Sequence, residues 1–422
     1  MTHRIEAAWL QDADLQALLA ALGSDGEEAR IVGGAIRNHL LGQPITDVDI
    51  ATTAVPQETI RRGQAAGFKA VATGIEHGTV TMVRNSRAFE VTTLRFDAEP
   101  DGRRARVVFG RDWTVDAQRR DFTINALYAD ASGTIYDPVG GLADIESGTL
   151  RFIGEAADRI NEDHLRSLRF YRFFAWYGQG RPDADAIRAT ARLKGELNGL
   201  SAERVWAELK KLLAAPDPSR ALLWMRQAGV LSTILPESDK WGIDAVHPLI
   251  EAERHFGWQA DPLLRLMAIV PPDSQRLDAL AKRLRFSKAE KNRLVEFAEL
   301  GTLPANLSET AFQAKLYDGE RQALQDRLQL DIAAMRAKLV QDPQALAMLP
   351  QLVHRLEQAQ SFVPASFPLS GADLMAAGVP AGPQLGILMG QLRHSWIESG
   401  FALQKSALLE KLDRLIAAAN KQ

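Results

Sequence analysis

The 422-residue sequence contains no cysteine, which excludes disulfide bonds, thiolate metal sites and cysteine nucleophiles. It also contains no run of about 18 or more apolar residues, so we expect no membrane-spanning helix. Residues 1–6 lack the basic segment followed by an apolar segment that marks a secretory signal peptide. These absences predict a cytoplasmic protein that has neither a membrane nor a disulfide partner.

The chain also lacks an excess of positive charge. Its 50 Lys and Arg residues are balanced by 53 Asp and Glu residues, and the formal net charge is −3. A nucleic-acid partner would therefore have to bind a local basic surface. Apolar residues make up 46% of the chain, which is enough to build a substantial core, and the length favours about two to four domains.

The pattern of apolar residues changes between residues 145 and 150. Before this point, short apolar runs alternate with turn residues, and Asn85 and Ser86 separate two strand-like segments, 78–84 and 87–95, as in a β-hairpin. After it, the apolar residues recur at helical spacing. The sequence thus predicts an α+β N-terminal domain with a small mixed or antiparallel sheet, followed by an all-α remainder.

Two glycines and two aspartates form the sharpest local signal of the N-terminal part. Gly33 and Gly34 precede a short helical segment, which is followed by Asp47 and Asp49. On a strand, positions i and i+2 point to one face, and two carboxylates there can hold one or two Mg²⁺ ions with substrate phosphates. The glycines allow backbone amides to approach a triphosphate, and Arg37 can add a charged contact to phosphate. Alone, an Asp-x-Asp sequence is more often a loop or a solvent-exposed strand end.

Glu90 lies on the second strand of the predicted hairpin. It is a candidate for a third catalytic carboxylate beside the two aspartates. An exposed acidic residue on a strand explains its presence equally well, so the sequence leaves both interpretations open.

Five segments resemble, in order, the motifs of the class II nucleotidyltransferases, the family of the bacterial CCA-adding enzymes and poly(A) polymerases. The five segments are 33–42 with 47–49, 119–127, 137–144, 162–166 and 203–209. One position departs from the family pattern, because Asn38 stands where an aspartate is usual. The resemblance implies a DNA polymerase β-like nucleotidyltransferase head followed by an all-α neck, body and tail.

The resemblance also implies domain boundaries and roles for particular residues. We expect a catalytic head at 1–145, a neck with the nucleotide-template motif at 146–215, and a tRNA-binding body and tail at 216–422. Asp47 and Asp49 would bind Mg²⁺, with CTP and ATP as substrates. The residues implied to bind the nucleotide are Gly33, Gly34, Arg37, Arg119, Arg120, Asp121, Asn125, Asp163, Arg166 and Arg169. Asn125 can hydrogen-bond a ribose hydroxyl, or it can be a buried structural amide.

Asp163 and Arg166 have the chemistry to select bases without a nucleic-acid template. On a helix they would share a face, because positions i and i+3 are neighbours. An aspartate offers only acceptors and an arginine only donors, and cytosine and adenine each present an amine donor beside a ring-nitrogen acceptor. Guanine and uracil present the reverse pattern and would leave buried polar groups unpaired, at about 1–3 kcal/mol each. An ordinary surface salt bridge is the alternative interpretation.

Two basic segments complete the prediction. Segment 101–106 contains glycine and arginine and resembles the flexible loop with which CCA-adding enzymes switch from C to A. The densest basic run of the helical part, 282–293, can follow the phosphates of a tRNA acceptor arm, or it can be a charged helix face without a partner. Its candidate RNA-binding residues are Lys282, Arg283, Arg285 and Lys288.

Together these features predict a template-independent enzyme that adds C, C and A to the 3′ end of tRNA and releases pyrophosphate. A poly(A) polymerase usually carries a basic segment where this chain has 72–78, which favours CCA addition. An enzyme that adds only CC or only A is a further alternative. A catalytically silent RNA-binding protein and an enzyme that modifies a small molecule are alternatives from other classes, and the intact aspartates and base-reading pair argue against both.

Overall fold

The structure is a computed structural model that describes residues 3–98, 106–239, 241–304, 306–339 and 342–419. The chain divides into two compact units, Met1–Ile234 and Leu235–Gln422. Within the described ranges, every helix is too short or too polar to span a bilayer. The predicted domain boundaries at 145 and 215 both fall inside the first unit and stay predictions.

The described strands all lie in the first unit. They are β1 (Ala29–Val32), β2 (Asp49–Thr52), β3 (Lys69–Gly74), β4 (Thr79–Arg84), β5 (Arg87–Thr93), β6 (Arg95–Ala98), β7 (Arg106–Phe109), β8 (Tyr128–Ala129) and β9 (Ile135–Tyr136). Seven of them form one sheet in the order β3-β4-β5-β2-β1-β8-β9, while β6 and β7 form a separate two-stranded sheet. In the large sheet, β2 and β5 run parallel and the other neighbouring pairs are antiparallel, so the predicted mixed sheet is confirmed.

The hairpin predicted around Asn85 and Ser86 is present as β4 and β5. Both turn residues have positive φ angles, 50° and 62°, which is the conformation that matches the twist of a two-residue hairpin. The Asn85 amide also donates to the Asp14 carboxylate at 3.1 Å. The turn sets the register between β4 and β5, and the parallel pairing of β5 with β2 then places Glu90 beside β2.

The helices of the first unit cover the sheet and extend beyond it. They are α1 (Ala13–Leu22), α2 (Gly34–Leu40), α3 (Pro56–Ala65), α4 (Trp113–Gln118), α5 (Gly141–Glu146), α6 (Ala156–Glu162), α7 (Leu165–Tyr177), α8 (Ala184–Arg192), α9 (Ala202–Leu213), α10 (Ser219–Gln227) and α11 (Val230–Ile234). On α7, Arg166, Arg169, Phe173 and Tyr177 follow one another at helical spacing and therefore share a face. Arg172 on the same helix donates to the buried Glu208 of α9 at 2.5 Å, so α9 braces α7.

The second unit is helical, and its described residues contain no strand. Its helices are α12 (Val246–Phe256), α13 (Pro262–Ile269), α14 (Ser274–Arg283), α15 (Lys288–Leu300), α16 (Glu309–Tyr317), α17 (Arg321–Lys338), α18 (Pro343–Ser361), α19 (Gly371–Ala376), α20 (Pro383–Glu398) and α21 (Lys405–Ala419). One apolar cluster is built around Phe312, Leu324 and Leu328. Another surrounds Leu392 and Trp396, so the predicted all-α remainder is confirmed.

Candidate active site

A cleft of about 480 Å³ lies in the first unit at the end of β1. It is bounded by the β1–α2 turn, the segment after α4, and the exposed face of α7. Its lining residues are Val32, Gly33, Gly34, Arg37, Asp49, Arg119, Arg120, Asp121, Asn125, Asp163, Leu165, Arg166, Arg169, Phe173 and Arg204. The structure thus brings together in one cleft all ten residues expected to bind the nucleotide and one of the two aspartates.

Of the two aspartates expected to bind metal, Asp49 is the one that lines the cleft. It is the first residue of β2, whereas Asp47 precedes the strand, and both side chains are exposed. The prediction that both aspartates lie on one strand is therefore wrong. The reason is that β2 pairs with β1, whose last residue, Val32, is opposite Asp49. Gly33 then turns the chain away with a φ of +71°.

Glu90 lies next to Asp49 on the neighbouring parallel strand, because Ile50 is in register with Val91. Desolvation within the cleft raises the pKa of Asp49 even though its side chain is partly open to solvent, and the negative charges of Glu90 and Asp47 raise it further. Negative charge is thus concentrated around Asp49, and the positive charge of Arg120 offsets it only in part. Carboxylate oxygens are the ligands that Mg²⁺ prefers. The donor set therefore fits a divalent cation. Among the residues that the structure describes, however, no three acidic or histidine side chains converge as a complete metal-binding group, so the third carboxylate stays a proposal.

The glycine pair supplies less to a phosphate than the sequence indicated. The Gly33 amide donates to the Leu127 carbonyl at 3.0 Å, so it is already used within the fold. A Cβ at Gly33 would lie 3.3 Å from the Asn125 carbonyl oxygen, and the positive φ there favours glycine. Gly33 therefore shapes the turn, and its own amide is already used within the fold, while its place among the nucleotide-binding residues stays a prediction.

Arg37 is buried and has only neutral hydrogen-bond acceptors in the described structure. Its guanidinium donates to Asn125 Oδ1 at 2.5 Å, to Asn38 Oδ1 at 2.8 Å and to the Tyr177 hydroxyl at 3.0 Å. Burial lowers the pKa of Arg37, as expected for a guanidinium without a carboxylate in contact. Because the family aspartate is replaced by Asn38, the positive charge of Arg37 remains available to an anion in the cleft.

Asn125 links Arg37 to a buried ion pair. Its Nδ2 donates to Asp121 Oδ1 at 3.0 Å, and Asp121 Oδ2 accepts from Arg169 Nε and Nη2 at 2.8 and 2.5 Å. Although burial acts to raise it, the pKa of Asp121 is held below its usual value by Arg169 and Asn125. Arg169, Asp121, Asn125 and Arg37 thus form one chain of contacts along the cleft wall. Each polar atom of Asn125 keeps one further hydrogen-bonding position.

Arg119 and Arg120 are both anchored by Asp116, a residue that the sequence analysis missed. Asp116 is 1% exposed and accepts from Arg119 Nε at 2.8 Å, Arg120 Nη2 at 3.0 Å and the Tyr128 hydroxyl at 2.7 Å. Burial acts to raise the pKa of Asp116, but Arg120 and Arg119 hold it below its usual value. The spacing of three and four residues along the chain is the signal that would have revealed this anchor.

Asp163 and Arg166 both line the cleft, but the prediction that they share a helix face is wrong. Asp163 follows the end of α6 in an extended conformation, with a φ of −153°, and its carboxylate accepts from the Leu165 amide at 3.1 Å. An aspartate that bonds to nearby backbone amides favours a helix boundary over a helix interior. The two residues are therefore brought together across the junction between α6 and α7.

Asp163 and Arg166 each have a different ion-pair partner. Arg204 on α9 donates to Asp163 Oδ2 at 2.7 Å, and Arg166 Nη1 donates to Glu162 Oε2 at 2.5 Å. Arg166 also donates to the Arg119 carbonyl. Arg204 thus belongs to the cleft, although the sequence analysis did not include it among the nucleotide-binding residues. These contacts fix the positions of the two side chains without pairing them to each other.

The sequence analysis named two basic segments, the loop 101–106 expected to switch from C to A addition and the run 282–293 expected to contact RNA. Residues 101–105 lie outside the described residues, and Arg106 begins β7. In the second unit, Lys282 pairs with Asp278 and Arg283 with Glu237, at 2.6 and 2.7 Å. Arg285 and Lys288 are exposed, and the four residues stay a prediction of an RNA-binding surface.

Comparisons with known proteins agree with this site. Residues 29–151 match the Poly A polymerase head domain family, and residues 182–241 match the family described as a probable RNA and SrmB-binding site of polymerase A. The chain is 33% identical over 413 residues to the mitochondrial CCA tRNA nucleotidyltransferase 1 of Mus musculus, covering 95% of this chain and 90% of that protein. It is 31% identical over 385 residues to the CCA-adding enzyme of Streptococcus gordonii, covering 90% and 92%. The crystal structure of the Bacillus stearothermophilus CCA-adding enzyme in complex with CTP matches with a TM-score of 0.71 and 27% identity, covering 99% of this chain and 100% of that one.

Proposed function

The chain belongs to the class II CCA-adding tRNA nucleotidyltransferases, and we propose that the cleft of its first unit carries out this chemistry. The enzyme adds C, C and A to the 3′ end of tRNA from CTP and ATP and releases pyrophosphate. The observation that supports the assignment is the set of side chains that line this single cleft. It combines a carboxylate with a raised pKa, guanidinium groups and an Asp–Arg pair suited to C and A.

Asp47 and Asp49 are the residues that we propose to hold Mg²⁺, with Glu90 as a third carboxylate beside them. A pair of such ions would activate the 3′-hydroxyl of tRNA and neutralise the leaving pyrophosphate. The protein contributes the carboxylate oxygens, whose mutual repulsion around Asp49 a divalent cation would relieve.

The remaining cleft residues divide by the part of the nucleotide that they suit. Arg37, Arg119 and Arg120 are guanidinium groups that can contact the triphosphate, and the last two are oriented by Asp116. Asn125 has one free hydrogen-bonding position on each polar atom for a ribose hydroxyl. Arg169 supports this amide through Asp121.

Asp163 and Arg166 are proposed to read the base. Asp163 would accept the exocyclic amine of cytosine or adenine, and Arg166 would donate to the adjacent ring nitrogen. Their present partners, Arg204 and Glu162, keep both side chains at the cleft. Because Asp163 and Arg204 are 36% and 50% exposed, a nucleotide can reach them.

The experiment that tests the function is the extension of a tRNA that ends at its discriminator base. Mg²⁺ would be supplied with CTP alone, ATP alone or both, and the products would be read at single-nucleotide resolution. Two C residues from CTP alone, followed by one A and a stop with both nucleotides, are expected. A stop after CC, extension only of a CC-ending tRNA, or a long A ladder would instead indicate a CC-adding enzyme, an A-adding enzyme or a poly(A) polymerase.

A second test separates catalysis from RNA binding on the same scaffold. Asp47→Ala and Asp49→Ala should abolish all three additions while tRNA binding is retained. Asp185→Asn is the matched control, because Asp185 is an exposed acid on the surface of α8 whose ion pair is with Arg188. Turnover that survives in the Asp47 variant would contradict the metal assignment.

The finer assignments to regions and location are also proposals. We propose that 1–145 is the catalytic head, 146–215 the neck and 216–422 the tRNA-binding body and tail, with Lys282, Arg283, Arg285 and Lys288 as RNA contacts. A cytoplasmic location also stays a proposal, since one of the relatives is named as mitochondrial. The salt dependence of tRNA binding would test the basic contacts, because each lost phosphate contact reduces the slope of log K against log salt by about 1.

A further inference from the structure

Tyr177, the last residue of α7, connects this helix to α2 at the cleft. Its hydroxyl accepts from Arg37 Nη2 at 3.0 Å and donates to Asn38 Oδ1 at 3.3 Å. The Arg37 guanidinium also lies over the Tyr177 ring, 4.3 Å from the ring centroid. Arg37 lines the cleft, whereas Tyr177 does not. An effect of Tyr177 on a bound nucleotide therefore has to pass through Arg37.

Arg37 needs a further acceptor because Asn38 offers it only one oxygen. The Asn38 side-chain nitrogen donates to the Pro44 carbonyl at 2.8 Å, which turns Oδ1 towards Arg37. That single oxygen accepts from Arg37 Nε at 3.1 Å and from Nη2 at 2.8 Å. Nη2 carries two hydrogens, and the Tyr177 hydroxyl accepts the second hydrogen bond. The hydroxyl thus completes the set of acceptors for this nitrogen.

The surroundings of Arg37 make this hydrogen bond more important than one on the surface. Arg37 is 8% exposed, and the side-chain acceptors that the described structure gives it are all neutral. Burial lowers the pKa of Arg37, and its interaction with Tyr177 is the first of the effects that oppose this shift. Water replaces a lost acceptor poorly at a buried donor. Without the hydroxyl, the guanidinium would no longer be held in one orientation.

We propose that Tyr177 is a positioning residue for nucleotide binding, because it fixes the Arg37 guanidinium where the triphosphate is bound. This inference rests on the proposed role of Arg37 as a triphosphate contact. CTP and ATP share the triphosphate, so Tyr177 should affect both nucleotides by the same factor. Arg166, which is proposed to read the base, lies about three turns earlier on α7. The choice between bases should therefore be independent of the Tyr177 hydroxyl.

The test is the steady-state kinetics of single-nucleotide addition by Tyr177→Phe, with CTP on a tRNA without CCA and ATP on a CC-ending tRNA. Phenylalanine keeps the ring beside Arg37 and removes only the hydroxyl. The KM for both nucleotides should rise about tenfold, as expected for the loss of a hydrogen bond to a charged group. The kcat should change less than about twofold, because the triphosphate is bound equally in the ground state and the transition state. A changed ratio of CTP to UTP incorporation would contradict a role confined to the triphosphate.

Tyr171→Phe is the matched control on the same helix. The Tyr171 side chain is fully buried, and its hydroxyl pairs with the Thr190 hydroxyl of α8 at 2.8 Å. The variant therefore removes a hydroxyl of the same kind from α7 while the contact to Arg37 stays intact. It should lower the Tm but leave the KM for CTP and ATP unchanged. An equal rise in KM in this variant would show a general loosening of α7 and would overturn the proposal.

Asn38→Asp tests the reason for the contact. A carboxylate can offer one oxygen to Nε and the other to Nη2 of Arg37 as a fork, which makes the hydroxyl dispensable. Adding Tyr177→Phe to Asn38→Asp should therefore raise the KM by less than about twofold, compared with about tenfold in the wild-type background. The same factor in both backgrounds, or an unchanged KM in Tyr177→Phe alone, would overturn the proposal.

Calorimetric titration of the full-length protein with tripolyphosphate in the presence of Mg²⁺ separates this inference from the proposed function. Tyr177→Phe should weaken tripolyphosphate binding about tenfold, and Tyr171→Phe should leave it unchanged. A wild type that binds tripolyphosphate but extends no tRNA would contradict the proposed function alone. An affinity that Tyr177→Phe leaves unchanged, or no binding by the wild type at millimolar concentration, would contradict the positioning role.

Discussion

Replacing Asp163 with asparagine should blur the choice of base more than it weakens tRNA binding. The asparagine oxygen can still accept from the Leu165 amide, so the junction between α6 and α7 keeps its backbone contact. The change replaces the oxygen that accepts from Arg204 with an amide nitrogen that carries two hydrogens. Two donors then face the exocyclic amine of cytosine or adenine, where one acceptor is needed.

The expected magnitude follows from the contact that is lost. A donor left without an acceptor costs about 1–3 kcal/mol, which corresponds to a fall in kcat/KM for CTP of roughly 5- to 150-fold. UTP offers a carbonyl that the new amide can donate to, so the ratio of CTP to UTP incorporation should fall even further. The ion pair with Arg204 contributes little to this loss, because both side chains are substantially exposed.

The assay is single-nucleotide incorporation into a tRNA without CCA, using CTP and UTP, and into a CC-ending tRNA, using ATP and GTP. Arg204→Gln is the control, since it removes the ion pair but leaves the Asp163 carboxylate in place. This control should retain the preference for C and A. An unchanged CTP to UTP ratio in Asp163→Asn, or an equal loss of selectivity in Arg204→Gln, would refute base reading by Asp163.

Three further predictions test the charges and the turn of the cleft. Asp49→Asn should reduce nucleotidyl transfer at least about 100-fold, because charge stabilisation by a metal is worth several kcal/mol. Desolvation and the nearby charge of Glu90 raise the pKa of Asp49. The ionised Asp49 therefore lowers the free energy of unfolding, and this loss begins as the pH rises above about 3.8. Without added metal, Asp49→Asn should therefore have a higher Tm than the wild type at pH 7, and this difference in Tm should disappear at acid pH. Added Mg²⁺ should raise the Tm of the wild type only. Asp121→Asn leaves Arg169 without its carboxylate and should lower the free energy of unfolding, measured in urea at pH 7, by about 3 kcal/mol. Since the pKa of Asp121 is lowered, the difference from the wild type should vanish as the pH falls through that lowered value. A difference that stays constant with pH would contradict the ion pair. Gly33→Ala forces a side chain into a φ of +71° and should cost about 1–2 kcal/mol, measured as a lower Tm, and an unchanged Tm would show that the turn relaxes.

Much of the architecture could be predicted because its signals are local. Asn85 and Ser86 tolerate positive φ, and the turn that they form occurs as expected. The ordered motifs led to the correct family, and the helical spacing of apolar residues after about residue 150 led to the all-α second unit. These features depend on residue types at short separations along the chain.

The incorrect predictions have two kinds of cause, a tertiary constraint at Asp47 and Gly33 and a local hydrogen bond at Asp163. The strand containing Asp49 begins only where β1 offers a pairing partner, so Asp47 stays in the preceding loop. Asp163 ends a helix because its carboxylate binds a backbone amide. The Gly33 amide was expected to be open to phosphate, but it is used by Leu127 across the fold.

The sequence alone determined which chemical groups the enzyme has, because motif order and residue type identify carboxylates, guanidinium groups and a base-reading pair. Only the tertiary structure decided how those charges are partnered. Asp121 meets Arg169 from 48 positions away, and Arg204 reaches Asp163 from 41 positions away. Electrostatic interactions and hydrogen bonds depend on distance through space, and the linear spacing of residues does not specify that distance for partners that are far apart in the chain.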